Sequence, residues 1–294
     1  MNRLIKGVAL FSAALTFAAC SAGGTPPQAG APAGGDAVGS GSGVEDGVFT
    51  VAMEAAYAPY NWAQPDDSNG AVPIKDSALF ANGYDVMTAK SIAEANGWEL
   101  EIVQLDWDSL IPAVQSGTVD AVIAGQSMTA ERMEEVDFAG PYLYANIVVL
   151  TKTDGQFAGA QGLADLAGGR ATSQTGTIWY DTLIPQIEGV QRQSAAESAP
   201  AMLMALETNQ VDYVVTDVPT AQGAVIAYPD MTILDFTNGD DNFEVSDEDV
   251  NIGISVRKGN TELKDAINAV LEGQTADDFN TQMAQAVEIQ PLSN

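Results

Sequence analysis

The sequence of 294 residues has no histidine, a single cysteine and few basic residues. The absence of histidine removes the side chain that most often acts as a catalytic base or metal ligand near neutral pH. A lone cysteine cannot form an intrachain disulfide. Eleven basic residues against forty acidic ones give a formal net charge of -29, which excludes a nucleic-acid partner because phosphate binding needs a basic surface. No metal cluster, nucleophile motif or phosphate loop is present, so we expect no metal or cofactor.

Long apolar runs are also absent after the first twenty residues. Arg3 and Lys6 precede the apolar run Val8 to Ala19, which is typical of a secretory signal and too short to span a bilayer as a stable helix. The segment Phe17-Ala-Ala-Cys20 resembles the bacterial lipobox, in which the cysteine is acylated, although that motif usually has leucine where Phe17 stands. An ordinary signal peptide with a free thiol at Cys20 is the alternative.

The residues after Cys20 are almost entirely Gly, Ala, Pro and Ser. Such a composition cannot bury enough apolar surface to offset its conformational entropy. We therefore predict a lipoprotein signal peptide over residues 1–20, a flexible tether over 21–44 and a folded part from residue 45. The folded part is long enough for two hydrophobic cores.

Apolar periodicity predicts an alternation of strands and helices. The strands are Val48 to Met53, Leu100 to Leu105 and Val119 to Ala124, and the helices are Tyr84 to Ala95 and Asp108 to Ser116. This order favours an α/β fold with crossover connections.

The chain then nearly repeats itself, because residues 115–125 and 207–217 both read as a helix end, a turn with Val-Asp and a buried strand. Two similar α/β lobes follow, with the carboxyl ends of their strands at a shared cleft. The alternative is that the two segments are unrelated βα units whose sequences are similar only because both form the same kind of unit. Asn61 to Asn82 is predicted to be a long irregular loop. A strand is predicted over Asn251 to Val256 and a helix over Glu262 to Glu272, and with them the chain returns to the first lobe.

Several motifs together are specific to one group of proteins. They are Tyr57-Ala-Pro-Tyr60, Gly83-Tyr-Asp-Val86, Leu105-Asp-Trp-Asp-Ser-Leu-Ile-Pro112, Val119-Asp-Ala-Val-Ile-Ala-Gly-Gln-Ser-Met-Thr-Ala-Glu-Arg132 and Val136-Asp-Phe138. From about residue 49 to 271 the chain resembles the family 3 bacterial solute-binding proteins, the polar amino acid receptors of ABC importers. The resemblance implies the two-lobe type 2 periplasmic binding protein fold with two crossing hinge strands. Lobe 1 would comprise residues 45–144 and 237–294, and lobe 2 residues 145–236.

The resemblance also implies how the charged groups of a free amino acid are bound. Arg132 would hold the α-carboxylate, helped by the backbone N–H groups of Ser127 and Thr177. Asp217, the Gly125 carbonyl and the Ser127 hydroxyl would receive the α-ammonium.

Most of these residues have a purely structural alternative. Arg132 would also suit a surface ion pair with Glu131 or Glu135, and Ser127 with Thr129 would also cap the helix that follows. Asp217 and Thr177 would also serve as ordinary cap or turn residues.

Selection of the ligand's side chain is assigned by the same resemblance to Glu54, Tyr57, Trp107 and Gln126. An acid beside two aromatic rings suits lysine or arginine, while Gln126 would suit glutamine. The alternatives are that the two rings belong to the core and that Glu54 points to solvent.

These features predict a monomeric, lipid-anchored receptor at the outer face of the bacterial cell membrane, which delivers a cationic or polar L-amino acid to an ABC importer permease. It is not expected to be an enzyme. The first alternative is a secreted dehydratase on the same fold with Glu54 as the acting group, although no partner base is placed beside it. The second is an amino acid sensor or adhesin without a transport role.

Overall fold

The computed structural model describes Val44 and residues 46–291. The strands are β1 (Val48–Met53), β2 (Ala56–Tyr57), β3 (Asn61–Gln64), β4 (Val72–Pro73), β5 (Phe80–Asn82), β6 (Glu99–Gln104), β7 (Ala121–Ser127), β8 (Asp137–Tyr144), β9 (Ile147–Lys152), β10 (Arg170–Thr172), β11 (Gln191–Arg192), β12 (Tyr213–Asp217), β13 (Met231–Leu234) and β14 (Asn251–Val256). The α-helices are α1 (Tyr84–Asn96), α2 (Leu110–Ser116), α3 (Ala130–Glu135), α4 (Ala199–Glu207), α5 (Val218–Ala227), α6 (Asp247–Val250), α7 (Thr261–Leu271) and α8 (Ala276–Ile289).

The first lobe is built on a five-stranded sheet in the order β6-β1-β7-β14-β8. β1 pairs in parallel with β6 and β7, and β14 runs antiparallel to β7 and β8. Every residue of β7 is buried, which fits a central strand covered on both faces. Helix α1 packs against α7 and α8, so the end of the chain belongs to this lobe.

The second lobe has its own five-stranded sheet, in the order β11-β10-β12-β9-β13. The chain enters it directly from β8 to β9 and leaves it between β13 and β14. The two crossings contact each other, because the backbone N–H of Ala145 donates to the carbonyl of Val250 at 2.9 Å. The predicted two-lobe α/β fold is thereby confirmed.

The structure shifts two predicted boundaries. Val44, placed in the tether, is only 5% exposed and packs in the core, so the folded part begins before residue 45. The chain was also expected to return to the first lobe at residue 237. Instead, Asp241 accepts from the backbone N–H of Ala164, and Glu244 exchanges two hydrogen bonds with Gln186, both on the second lobe. Because of these bonds, the chain returns to the first lobe only after residue 244.

The long stretch from Asn61 to Asn82 is not the irregular loop that we predicted. It contributes three strands to a small antiparallel sheet in the order β2-β3-β5-β4. Trp62 and Ala81 of this sheet are buried. Strands of two to four residues are too short to give a recognisable alternation, which is why the sequence pattern missed them.

The predicted signal peptide, Cys20 and nearly all of the predicted tether lie outside the described residues. Within Val44 and residues 46–291, no helix combines the length and the apolar character needed to cross a membrane.

Candidate ligand-binding cleft

A small cavity lies between the two lobes, at the carboxyl end of β7 and at the segment that follows β10. Its lining residues are Tyr57, Trp107, Gly125, Ser127 and Arg132 from the first lobe and Gln174, Thr177, Ile178 and Trp179 from the second. Six of the predicted site residues are among them: Tyr57, Trp107, Gly125, Ser127, Arg132 and Thr177. Residues that are distant in the sequence therefore meet where the two lobes face each other.

Arg132 lies on α3, whose N-terminus is capped by the Thr129 hydroxyl. Its guanidinium donates to the carbonyl of Ser127 at 2.9 Å and, across the cleft, to the carbonyl of Gly176 at 3.0 Å. It also lies 5.4 Å from the centre of the Trp107 ring. Burial lowers the pKa of Arg132 to about 10, so the side chain remains charged at neutral pH.

The surface ion pair considered as an alternative for Arg132 is not formed. The ion pairs within residues 46–291 involve Lys75, Lys152 and Arg170, and none of them includes Arg132. Its partners are two neutral carbonyls, which satisfy two of its five N–H groups and do not balance the charge. A partly buried guanidinium of this kind favours a planar anion that accepts two parallel hydrogen bonds.

The floor of the cavity depends on the close approach of the Tyr57 ring to Gly125. Its φ is +64°, and a Cβ there would lie 2.9 Å from the Tyr57 ring, so a glycine is required. The Gly125 N–H donates to the Tyr142 hydroxyl at 3.0 Å, which in turn donates to the buried Asp85 at 2.6 Å. Asn61 donates to the same carboxylate at 2.7 Å. This network holds the strand end in place beneath the cavity.

Thr177 closes the second-lobe side of the cavity. Its hydroxyl donates to the carbonyl of Gln174 at 2.7 Å, which fixes the turn that contains Gly176. The turn role weighed as an alternative therefore holds, and the residue lines the cavity at the same time.

Asp217 ends β12 and caps α5, where its Oδ1 accepts from the Thr220 N–H at 2.9 Å. Its Oδ2 accepts from two first-lobe hydroxyls, Tyr60 at 2.7 Å and Tyr57 at 3.4 Å. The side chain is 1% exposed, and this burial raises the pKa of the carboxyl, which the hydrogen bonds counteract. Asp217 does not itself line the cavity but contacts the hydroxyl of Tyr57, which does, so it does more than cap a helix.

Glu54 lines an adjoining cavity of about 470 Å³ that shares Trp107 with the first. Three further acids surround this cavity: Asp106 and Asp108 from the first lobe and Glu197 from the second. Burial, opposed by a hydrogen bond from Gln174 and reinforced by nearby acids, raises the pKa of Glu54 to about 7. Glu54 is 7% exposed, so it does not point freely to solvent.

Gln126, like Asp217, does not line the cavity, and its side chain is held inside the first lobe. Its side-chain oxygen accepts from the Ser255 hydroxyl at 2.8 Å, inside the first lobe. Successive side chains of a strand point to opposite faces, so Gly125 and Ser127 face the cavity while Gln126 faces the core. The predicted contact of Gln126 with the ligand's side chain is therefore wrong.

Four residues at the site were not predicted. Tyr60 contacts Asp217, Gln174 approaches Glu54 at 3.4 Å, Ile178 lines the cavity, and the Trp179 ring centre lies 6.5 Å from that of Tyr57. Tyr60 belongs to a motif that the sequence singled out, but Trp179 looks like any core aromatic. Their place at the site is seen only when the structure brings the two lobes together.

The sequence matches the bacterial extracellular solute-binding proteins, family 3, over residues 49–286. A "Probable histidine-binding protein" of Campylobacter jejuni is 32% identical over 189 residues, 64% of this chain and 67% of the relative. The glutamate-binding protein GluB of Corynebacterium efficiens is 30% identical over 90% of this chain and 86% of the relative.

Solved structures of the same kind share the fold. The amino acid ABC transporter substrate-binding protein AbpA of Streptococcus pneumoniae, bound to L-arginine, is 26% identical, with a TM-score of 0.67. The similarity covers 83% of this chain and 95% of AbpA. These relatives are named as binding proteins, and the amino acids in their names differ. The chain belongs to the bacterial extracellular solute-binding proteins, family 3.

Proposed function

We propose that this protein is an extracytoplasmic receptor that binds a free L-amino acid between its lobes and delivers it to an ABC importer. The observation that supports this most is the half-buried Arg132 guanidinium, which lines the cavity and faces the second lobe without a carboxylate partner among the described residues. A ligand's α-carboxylate would supply the missing negative charge. Contact with both lobes would stabilise their closed arrangement, which is the form an importer recognises.

The α-ammonium is assigned to Asp217, with the Gly125 carbonyl and the Ser127 hydroxyl as further acceptors. The contact between Asp217 and the Tyr57 hydroxyl is long, at 3.4 Å, and is the one that an ammonium would most easily replace. The carboxylate and the guanidinium come from different lobes. A zwitterion bound between them would join the two halves of the molecule.

The acidic cavity beside Trp107 favours a ligand with a long cationic side chain. Glu54, Asp106, Asp108 and Glu197 supply negative charge, and the Trp107 ring offers a cation–π contact of about 0.5 to 2 kcal/mol. With Gln126 turned into the core, the residue that argued for glutamine no longer lies at the site. We therefore propose arginine or lysine as the ligand.

A thermal-shift screen against the twenty amino acids tests this function. Arginine or lysine at 100 times its dissociation constant should add about 2.7 kcal/mol to the free energy of unfolding. Turnover of prephenate or arogenate, the substrates of the dehydratase alternative, should not occur. If no amino acid raises the melting temperature, the proposed function is wrong.

Replacing Glu54 with glutamine should weaken arginine and lysine binding by about 10- to 100-fold, because a charge-assisted contact is lost. Wild-type affinity should fall as pH drops through about 7, where the Glu54 carboxylate takes up a proton and becomes neutral. In Glu54→Gln this step should disappear. Calorimetric titrations from pH 5.5 to 8.5 measure both effects.

The matched control is Glu94→Gln, on the exposed face of α1. It should leave the affinity and its pH dependence unchanged. Equal arginine affinity in wild type and Glu54→Gln would remove Glu54 from the site.

We also propose that Cys20 carries a lipid anchor and that the residues after it join this anchor to the folded part, which acts as a monomer at the outer face of the membrane. Two acyl chains bury many methylene groups, each worth about 0.8 kcal/mol. The support is the sequence Phe17-Ala-Ala-Cys20 together with the extracytoplasmic location of the family.

A further inference from the structure

A tyrosine hydroxyl links the two lobes at the buried acid of the second. Tyr60 is fully buried in the segment between β2 and β3, and its ring stacks on that of Tyr57 at 4.7 Å. Its hydroxyl donates to Oδ2 of Asp217 at 2.7 Å. A phenylalanine would fill nearly the same space, so the packing of the ring and the role of the hydroxyl can be separated.

We propose that Tyr60 is a positioning residue, whose hydroxyl holds the Asp217 carboxylate in the orientation and the charged form that receive the ligand's ammonium. This inference rests on the proposed function, in which Asp217 binds the ammonium. Tyr60 itself need not touch the ligand.

The geometry around Asp217 separates the roles of its partners. Oδ1 is held within its own lobe by the Thr220 N–H, whereas Oδ2 faces the two tyrosines of the first lobe. Tyr60 makes the short bond and Tyr57 the long one. The Tyr57 oxygen also accepts from the Thr220 hydroxyl at 3.0 Å, so it has a partner to keep when an ammonium displaces it from Asp217. Tyr60 is the partner that fixes Oδ2.

The same bond affects the charge of Asp217. Burial raises the pKa of this carboxyl, and the bonds from Thr220, Tyr60 and Tyr57 lower it. The other acid near this cluster is Asp85, whose own pKa is raised by burial and by the Asp217 charge. Without the Tyr60 hydroxyl, burial is less well opposed. Asp217 then becomes neutral at a higher pH and attracts an ammonium less strongly.

Tyr60→Phe tests the proposal by changing one oxygen atom. Calorimetry with L-arginine should give about tenfold weaker binding at neutral pH, as expected for the loss of a charge-assisted hydrogen bond. As pH falls, the loss of affinity in the variant should begin at a higher pH than in the wild type. A residue that only packs would not move this profile.

Tyr213→Phe is the matched control. Tyr213 is also fully buried, but its hydroxyl donates to the Leu166 carbonyl at 2.9 Å and not to a carboxylate. It should keep the wild-type affinity and pH profile. If Tyr213→Phe reproduces the effect of Tyr60→Phe, the inference is overturned.

A measurement without ligand keeps this inference separate from the proposed function. The titration of the Asp217 carboxyl, followed by carbon NMR, should move to higher pH in Tyr60→Phe. An unmoved titration overturns the inference even if arginine binds. Failure of the wild type to bind any amino acid would instead contradict the proposed function.

Discussion

An Arg132→Ala variant is expected to lose amino acid binding. The guanidinium is the cation that lines the cavity, and removing one partner of a charge pair that the bound ligand would bury costs about 2 to 5 kcal/mol, or roughly 30- to several-thousand-fold in affinity. The ligand's carboxylate would be left to the backbone N–H groups alone. Calorimetric titration of the wild type and the variant with arginine and lysine measures the loss.

The fold should survive this change, because the Arg132 side chain donates only to two carbonyls at the edge of the cleft. The melting temperature without ligand is therefore expected to change little. The control is Arg192→Ala, because Arg192 is exposed and its guanidinium lies 4.8 Å from the centre of the Tyr180 ring. This variant should bind amino acids normally. Wild-type affinity in Arg132→Ala would show that the α-carboxylate is bound elsewhere.

Replacing Asp217 with asparagine is expected to have an effect of similar size. The amide oxygen can still cap α5 by accepting from the Thr220 N–H, since asparagine is among the best N-cap residues, and the amide NH2 can donate to the Tyr60 oxygen. What disappears is the negative charge that balances the ligand's ammonium, at a cost of about 2 to 5 kcal/mol in binding. Titration with arginine measures the loss, and thermal unfolding without ligand checks that the fold is intact.

Asp235→Asn gives the control, because Asp235 is exposed and only accepts from neighbouring Thr237. It should bind as the wild type does. Retention of full affinity in Asp217→Asn would mean that the ammonium lies away from Asp217, and the role given to Tyr60 would be lost with it.

Much of the regular structure could be predicted from local patterns. The strand Asn251 to Val256 lies where the sequence placed it, and the helix that begins at Tyr84 ends one residue later than predicted. These elements have apolar residues at a clear spacing and recognisable ends, such as the left-handed Gly97 after α1. The small sheet of β2 to β5 lacked both signals, because its strands are short and depend on pairing with one another.

The site could be predicted only where a motif fixed the position of a residue. The motif that contains Ser127 and Arg132 led to the cavity, since a strand end and the next helix are local features. Gln126 was misplaced because motif alignment does not show which face of β7 a side chain takes. Trp179 was missed since its role arises from contact with Tyr57 of the other lobe, which no short stretch of sequence contains.

The bond between Ala145 and Val250 has a mechanical consequence. It ties together the two connections between the lobes, and the bonds of Asp241 and Glu244 hold the preceding segment on the second lobe. Little backbone remains free to twist, so opening is confined to a narrow pivot beside this pair. We expect a small torsional change there to widen the far rim of the cleft, so that the proposed ligand could enter without disturbing either hydrophobic interior.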